Sequence, residues 1–221
     1  MTREVRLTDS EHGTRPVRVV RRPLEIVRAD LRAYLVLNLL VYGAAVAGFL
    51  TALVRPELAA GRATTLQEDG TADLVASLLS NVWLFALVIL GVNVLTAGLL
   101  SIVLPSLVVP FAGIAIFTYR AFEIGVTLAP ADATGWLILI PHYLTFLIEF
   151  QAYALLMFGA YLLGRSWLRP ATVGAHNRRQ GYVRGLRQLG WLSAAALALL
   201  IIGALYEAFE LRYLVPQLAQ R

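Results

Sequence analysis

VWLFALVILGVNVLTAGLLSIVLPSLVVPFAGIAIFT, residues 82–118, carries no formal charge. A bilayer's hydrocarbon core is about 30 Å thick and takes roughly 20 helical residues to cross, so this run is too long for one crossing. Pro105 and Pro110 interrupt it in LPSLVVP, and proline removes a backbone donor and disfavours helix at the residue before it. The run therefore reads as two spans, about 77–102 and 107–128, joined by a tight apolar turn. The competing span count makes LPSLVVP a re-entrant segment or the C-terminal tail interfacial.

The rest of the chain supports the same solvent. Of its 221 residues 58% are hydrophobic and 15% charged, with a mean hydropathy of +0.69, where soluble domains carry about 25% charged residues. The expectation is an all-α, polytopic transmembrane bundle of about five spans, near 33–54, 77–102, 107–128, 136–164 and 189–210. Residues 23–221 read as one transmembrane domain, preceded by a flexible basic arm over 1–22. After Pro23, Leu24, Val27, Leu31 and Leu35 recur at helical spacing among arginines, which fits an amphipathic helix in the interface or the extramembrane end of the first span. The first apolar run is long enough to span, so it is expected to stay as an anchor rather than be cleaved.

The net charge of +5 raises nucleic acid as a partner, and its distribution argues against that. Arginines gather in the N-terminal arm and in a loop holding Arg165, Arg169, Arg178, Arg179, Arg184 and Arg187. Both clusters flank apolar spans, as cytoplasmic arginines do in membrane proteins. With five spans, the N-terminus lies in the cytoplasm and the C-terminus outside, and the acidic segment 55–76 is an outer loop. A bacterial plasma membrane is the expected location. The chain has no cysteine, so thiolate metal sites are impossible.

Ionisable residues inside spans are costly, and they mark functional candidates. His142 and Glu149 lie on one face of the fourth span, because seven residues at about 100° each return nearly to the starting direction. They are also about 10 Å apart along the axis, too far to bond directly. Glu149 has no evident partner in its own span. Arg120 and Glu123, three apart, are within pairing distance on one face. Folding the spans as hairpins brings Arg120, Glu123, His142 and Asn93 to similar depths. The resulting intramembrane polar site is His142, Glu149, Arg120, Glu123 and Asn93. Its bland alternative is an Arg120–Glu123 structural pair, with His142 capping a helix after a break at Pro141. A zinc protease helix needs two histidines four apart around a glutamate, which this span lacks, so neither metal, cofactor nor catalytic residues are expected. Gly91, Gly98, Gly159 and Gly164 are candidates for close helix packing.

The run IPHYLTFLIEFQAYALLMFGAYLLGR, residues 140–165, resembles the stage II sporulation protein M family of integral membrane proteins. The resemblance rests on Pro141-His142, on Glu149 followed three residues later by Ala152, and on Gly164. It departs where Tyr143 replaces the family's glycine and where Glu149 follows the histidine by seven residues rather than four. Arg120 also stands where the family commonly has an asparagine. The resemblance implies a non-enzymatic subunit of a cell-envelope assembly, a scaffold or membrane-remodelling component. A permease-like subunit of an exporter is the alternative. The chain has no lysine and hence no phosphate-binding loop of the glycine-lysine type, so an ATPase driving such an exporter is a separate subunit. The bilayer is the first partner, with self-association or other membrane proteins next.

Overall fold

The computed structural model describes residues 15–219, and the expected arm over 1–14 lies outside them. Among the described residues the regular secondary structure is entirely helical. The helices are α1 (Arg15–Ala29), α2 (Leu31–Val54), α3 (Pro56–Glu68), α4 (Thr71–Leu78), α5 (Val82–Val108), α6 (Ala112–Leu128), α7 (Ala133–Leu168) and α8 (Arg178–Leu218). Four of them, α2, α5, α7 and α8, are long and apolar enough to cross a membrane. The fifth expected span is α6, with 17 residues.

Burial follows membrane rather than aqueous logic. Leu39, Val54, Trp83, Val108 and Ile140 are largely exposed on the outer faces, while the Glu210 side chain is 0% exposed. Withdrawing that carboxyl from water costs several kcal/mol unless partners offset it. Lipid tails reverse the preference for the apolar faces. α7 is the hub, with an almost wholly buried stretch from Phe150 to Gly164. Tyr153, Met157, Phe158 and Leu162 pack there with Val41 of α2, Phe117 of α6 and Leu192 of α8.

Two helix pairs organise the bundle, α2 with α6 running parallel and α7 with α8 antiparallel, and small residues permit both. A Cβ on Gly48 would strike the Phe122 carbonyl, and one on Gly125 the Ala45 carbonyl, so α2 and α6 meet backbone to backbone. Gly159 lies against Leu189, and Gly185 against Leu163, which sets the approach of α7 and α8. Gly98 contacts Leu156, and Gly164 lies beneath the Phe111 ring. Gly91 differs from its expectation: nothing lies within 4 Å of the position a Cβ would take. It faces outward, where a glycine has no neighbour to admit.

Several boundaries move for local reasons. α5 passes through Pro105 instead of ending near 102, because residues Asn93–Val103 form a π-helix whose wider turns precede the proline. The turn falls later, at 109–111, where Phe111 has φ 67°. Its ring packs beside Tyr161 of α7 at 6.1 Å, and the Ser106 hydroxyl accepts a hydrogen bond from Gly113 N–H at 3.1 Å. The segment 55–76, expected as a loop, is mostly helical in α3 and α4. Residues 15–22, expected within a flexible arm, belong to α1. α7 continues through Pro141 without a break, so His142 caps nothing. The basic loop is also smaller than expected. Arg165 lies in the last turn of α7 and Arg169 is its C-cap, while Arg178, Arg179, Arg184 and Arg187 lie in the first turns of α8, which Asn177 caps by accepting from Gln180 N–H at 2.9 Å. Arg165 forms an ion pair with Asp30, and Arg184 donates to the Val173 carbonyl at 2.5 Å.

Candidate functional site

Between α5, α6 and α7 lies a cavity of about 200 Å³. Its polar lining is Asn93, Arg120, His142, Thr145, Glu149 and the phenol of Tyr153, and its apolar walls include Ile124, Leu128, Phe146 and Phe150. Four of the five expected site residues therefore share one space.

Glu123 is the exception. Its carboxyl pairs with Arg62 of α3 at 3.7 Å, not with Arg120. Three residues on a helix put two side chains on neighbouring faces but do not choose their partners, and α3 packs against α6 at that point. The Arg120–Glu123 pair expected from spacing is thus replaced on both sides. Arg120 turns inward and donates from Nη2 to the Thr96 hydroxyl of α5 at 3.1 Å. That hydroxyl donates in turn to the Val92 carbonyl at 2.7 Å.

His142 and Glu149 remain apart, as their spacing required, and each finds its partner on another helix. Asn93 of α5 donates from Nδ2 to Glu149 Oε1. Glu149 thus has a partner within the chain, which its own span could not reveal. Glu210 of α8 receives the Thr145 hydroxyl on Oε2 at 2.9 Å. Its Oε1 lies 3.3 Å from His142 Nδ1 and accepts no hydrogen bond. Glu207, one turn before Glu210, acts electrostatically on both His142 and Glu149. Tyr206 donates to the Pro141 carbonyl at 3.4 Å, tying α8 to the helix at its proline.

Backbone geometry sets the aim of two of these side chains. α5 changes to π-helix at Asn93, and α8 does so at Glu210. Each extra residue per turn rotates the helix face locally, and such segments recur at functional sites. Both π segments here begin on a member of the polar cluster.

Glu207, Glu210 and Thr96 were not anticipated. The two glutamates did carry a signal: they lie three apart in EAFE at the end of an apolar run, inside a helix that continues to Leu218. Ending the last span at 210 hid them, because boundary carboxyls look solvated. Thr96 had no signal, since threonines in spans commonly bond their own helix. Among the described residues no group of three or more histidines, aspartates or glutamates is arranged to hold a metal ion.

The arrangement can bind and orient a polar solute, water or a proton. A guanidinium stands on one side, a carboxyl on another, and an imidazole is held by a second carboxyl behind it. Comparison with known protein families, with curated proteins and with solved structures finds no match to this chain.

Proposed function

We propose that the protein is a multi-pass, non-enzymatic subunit of a bacterial plasma-membrane assembly, and that within it this chain is the permease-like part. The polar cavity is the observation that supports this reading. Ionisable residues at membrane depth that line a space, rather than only pairing with one another, mark solute or ion pathways. Broken or irregular helices beside them are the form such sites take in transporters, and the π segments at Asn93 and Glu210 are of that kind.

In this reading all five of α2, α5, α6, α7 and α8 cross, with the N-terminus in the cytoplasm and the C-terminus outside. α6 is short but lies against α2 through Gly48 and Gly125, and about 17 residues is the lower limit for a span. α1 lies in the cytoplasmic interface, and the arginines at the α7–α8 turn face anionic headgroups or a separate ATPase subunit. The chain self-associates or contacts other membrane proteins through its exposed apolar faces. Membership of the stage II sporulation protein M family belongs to the same proposal, since Pro141, His142 and Glu149, which carry the resemblance, contribute to the cluster.

A scaffold is the second reading. The bonds from Asn93 to Glu149 and from Thr145 to Glu210 each join two helices, and a purely structural brace would use the same pairs. Access to water separates the two readings. Because the chain has no cysteine, single cysteines can be placed at Ala97 and Ile124, which line the cavity, and at Leu95, which is exposed on the outer surface. A charged, membrane-impermeant thiol reagent applied to native membranes is expected to label positions 97 and 124 and to spare 95. Absence of labelling at both cavity positions would establish a sealed structural cluster and remove the permease reading.

A further inference from the structure

Arg120 poses a problem that the transport reading leaves open. Its guanidinium lines the cavity, and among the described residues its hydrogen-bonding partner is a neutral hydroxyl, Thr96. Glu123, its neighbour by spacing, is engaged by Arg62. A guanidinium has five N–H donors in a fixed fork suited to a carboxylate, and a cation at membrane depth ordinarily faces an anionic partner. On another wall of the same cavity, Glu149 accepts from Asn93 through one oxygen, which leaves its second oxygen as an acceptor. Asn93 and Thr96 each fix one of these groups without neutralising it.

We infer that the cavity between Arg120 and Glu149 is a binding site for a small amino-carboxylate, with the ligand's carboxylate on the Arg120 guanidinium and its ammonium on the Glu149 carboxyl. This inference rests on the permease reading and names its substrate class. A lone anion would meet Glu149, and a lone cation would meet Arg120, so a molecule carrying both charges satisfies the site. The volume sets the size. A water's share of liquid is about 30 Å³, so a cavity of about 200 Å³ holds a compact ligand of about six or seven heavy atoms. Phe146, Phe150 and Ile124 form apolar walls against which a short aliphatic part packs. The cavity extends to Leu128, the last residue of α6.

The test is binding to the full chain in mild detergent, read by thermal stabilisation and by calorimetry, because a ligand that binds only the folded state raises its stability by mass action. The probes are glycine and β-alanine, with acetate and methylamine as single-charge halves. Glycine or β-alanine is expected to stabilise the protein at millimolar concentration, and either half alone to do so at least about 10-fold more weakly. Arg120→Gln is expected to weaken binding about 30-fold or more, as removal of one partner of a desolvated charge pair does. Arg120→Lys, which keeps the charge and loses the fork, is the second variant should the first fail to fold, and it is expected to give a smaller loss in the same direction. Glu149→Gln is expected to move the preference from glycine towards acetate. Glu123→Gln, outside the cavity, is expected to leave binding unchanged. Failure of every amino-carboxylate to bind, or full binding by both Arg120 variants, would overturn the inference. Water-accessible cysteines at 97 and 124 without such binding would sink this inference alone and leave the permease reading in place.

Discussion

Thr145→Val removes one hydroxyl and little volume, which makes it a clean probe of the α7–α8 contact. The Thr145 side chain is 1% exposed, Glu210 is 0% exposed, and their hydrogen bond is 2.9 Å long. The substitution leaves Glu210 with the His142 imidazole at 3.3 Å as its remaining close partner. In soluble proteins a hydrogen bond to a charged group contributes about 1.5–3 kcal/mol. Side-chain bonds between membrane helices average about 0.6 kcal/mol and reach about 1.7, because the unfolded chain in the bilayer finds other partners. The two ranges overlap near 1.5 kcal/mol. This bond belongs at that upper end for membranes, since both side chains are almost wholly buried. The expected loss is therefore about 1.5 kcal/mol, roughly a tenfold shift in the unfolding equilibrium. It is measured by reversible denaturant titration in mixed micelles. Thr145→Ser keeps the hydroxyl and is expected to recover most of the loss. A Thr145→Val/Glu210→Gln cycle should show non-additivity, as coupled partners do. A loss below about 0.3 kcal/mol, or Thr145→Ser falling as far as Thr145→Val, would refute the reasoning that this bond joins the helices.

Other consequences can be checked directly. Gly125→Leu is expected to separate α2 from α6 and to abolish a folded bundle in size-exclusion chromatography, because its side chain has only the Ala45 backbone in front of it. Gly91→Ala, with no atom within 4 Å of the new methyl, is expected to raise stability by about 0.4–1 kcal/mol through the smaller entropy of the unfolded chain, read in the same titration. Asp30→Asn breaks the ion pair with Arg165, which is partly exposed, so thermal unfolding should register a loss of under about 1 kcal/mol that shrinks as salt is added. Fusing a reporter active only in the cytoplasm to each terminus should give activity at the N-terminus and none at the C-terminus if five helices cross. Activity at both ends would mean that α6 does not cross.

Much of the site was legible in the sequence, and what escaped did so for identifiable reasons. The angle and rise of a helix were enough to show that His142 and Glu149 share a face and cannot touch. Equal depths in folded hairpins brought Asn93, Arg120 and His142 to one region, and all three line the cavity. Helical spacing failed for Arg120 and Glu123, because a pair that is possible within one helix competes with partners on others. Thr96 and Arg62 won that competition. The glycines divide in the same way. Gly98, Gly159 and Gly164 meet neighbours, Gly91 does not, and the tightest approaches of α2 to α6 fall at Gly48 and Gly125.

The sequence by itself determined that this protein belongs in a bilayer, that its elements are helices, and which polar residues would have to be reconciled with lipid. Those conclusions rest on local quantities: run length, residue type and angular spacing along one chain. Only the tertiary structure decided that the 82–118 run stays helical through Pro105 and turns at Phe111, because the π-helical register and the seating of that ring on α7 depend on neighbours. Only it decided that Glu149 answers to Asn93 and His142 to Glu210, residues 56 and 68 positions away in sequence. A buried polar group takes whichever complementary atom the packing brings within about 3 Å, and packing is a property of helix pairs that no single helix contains.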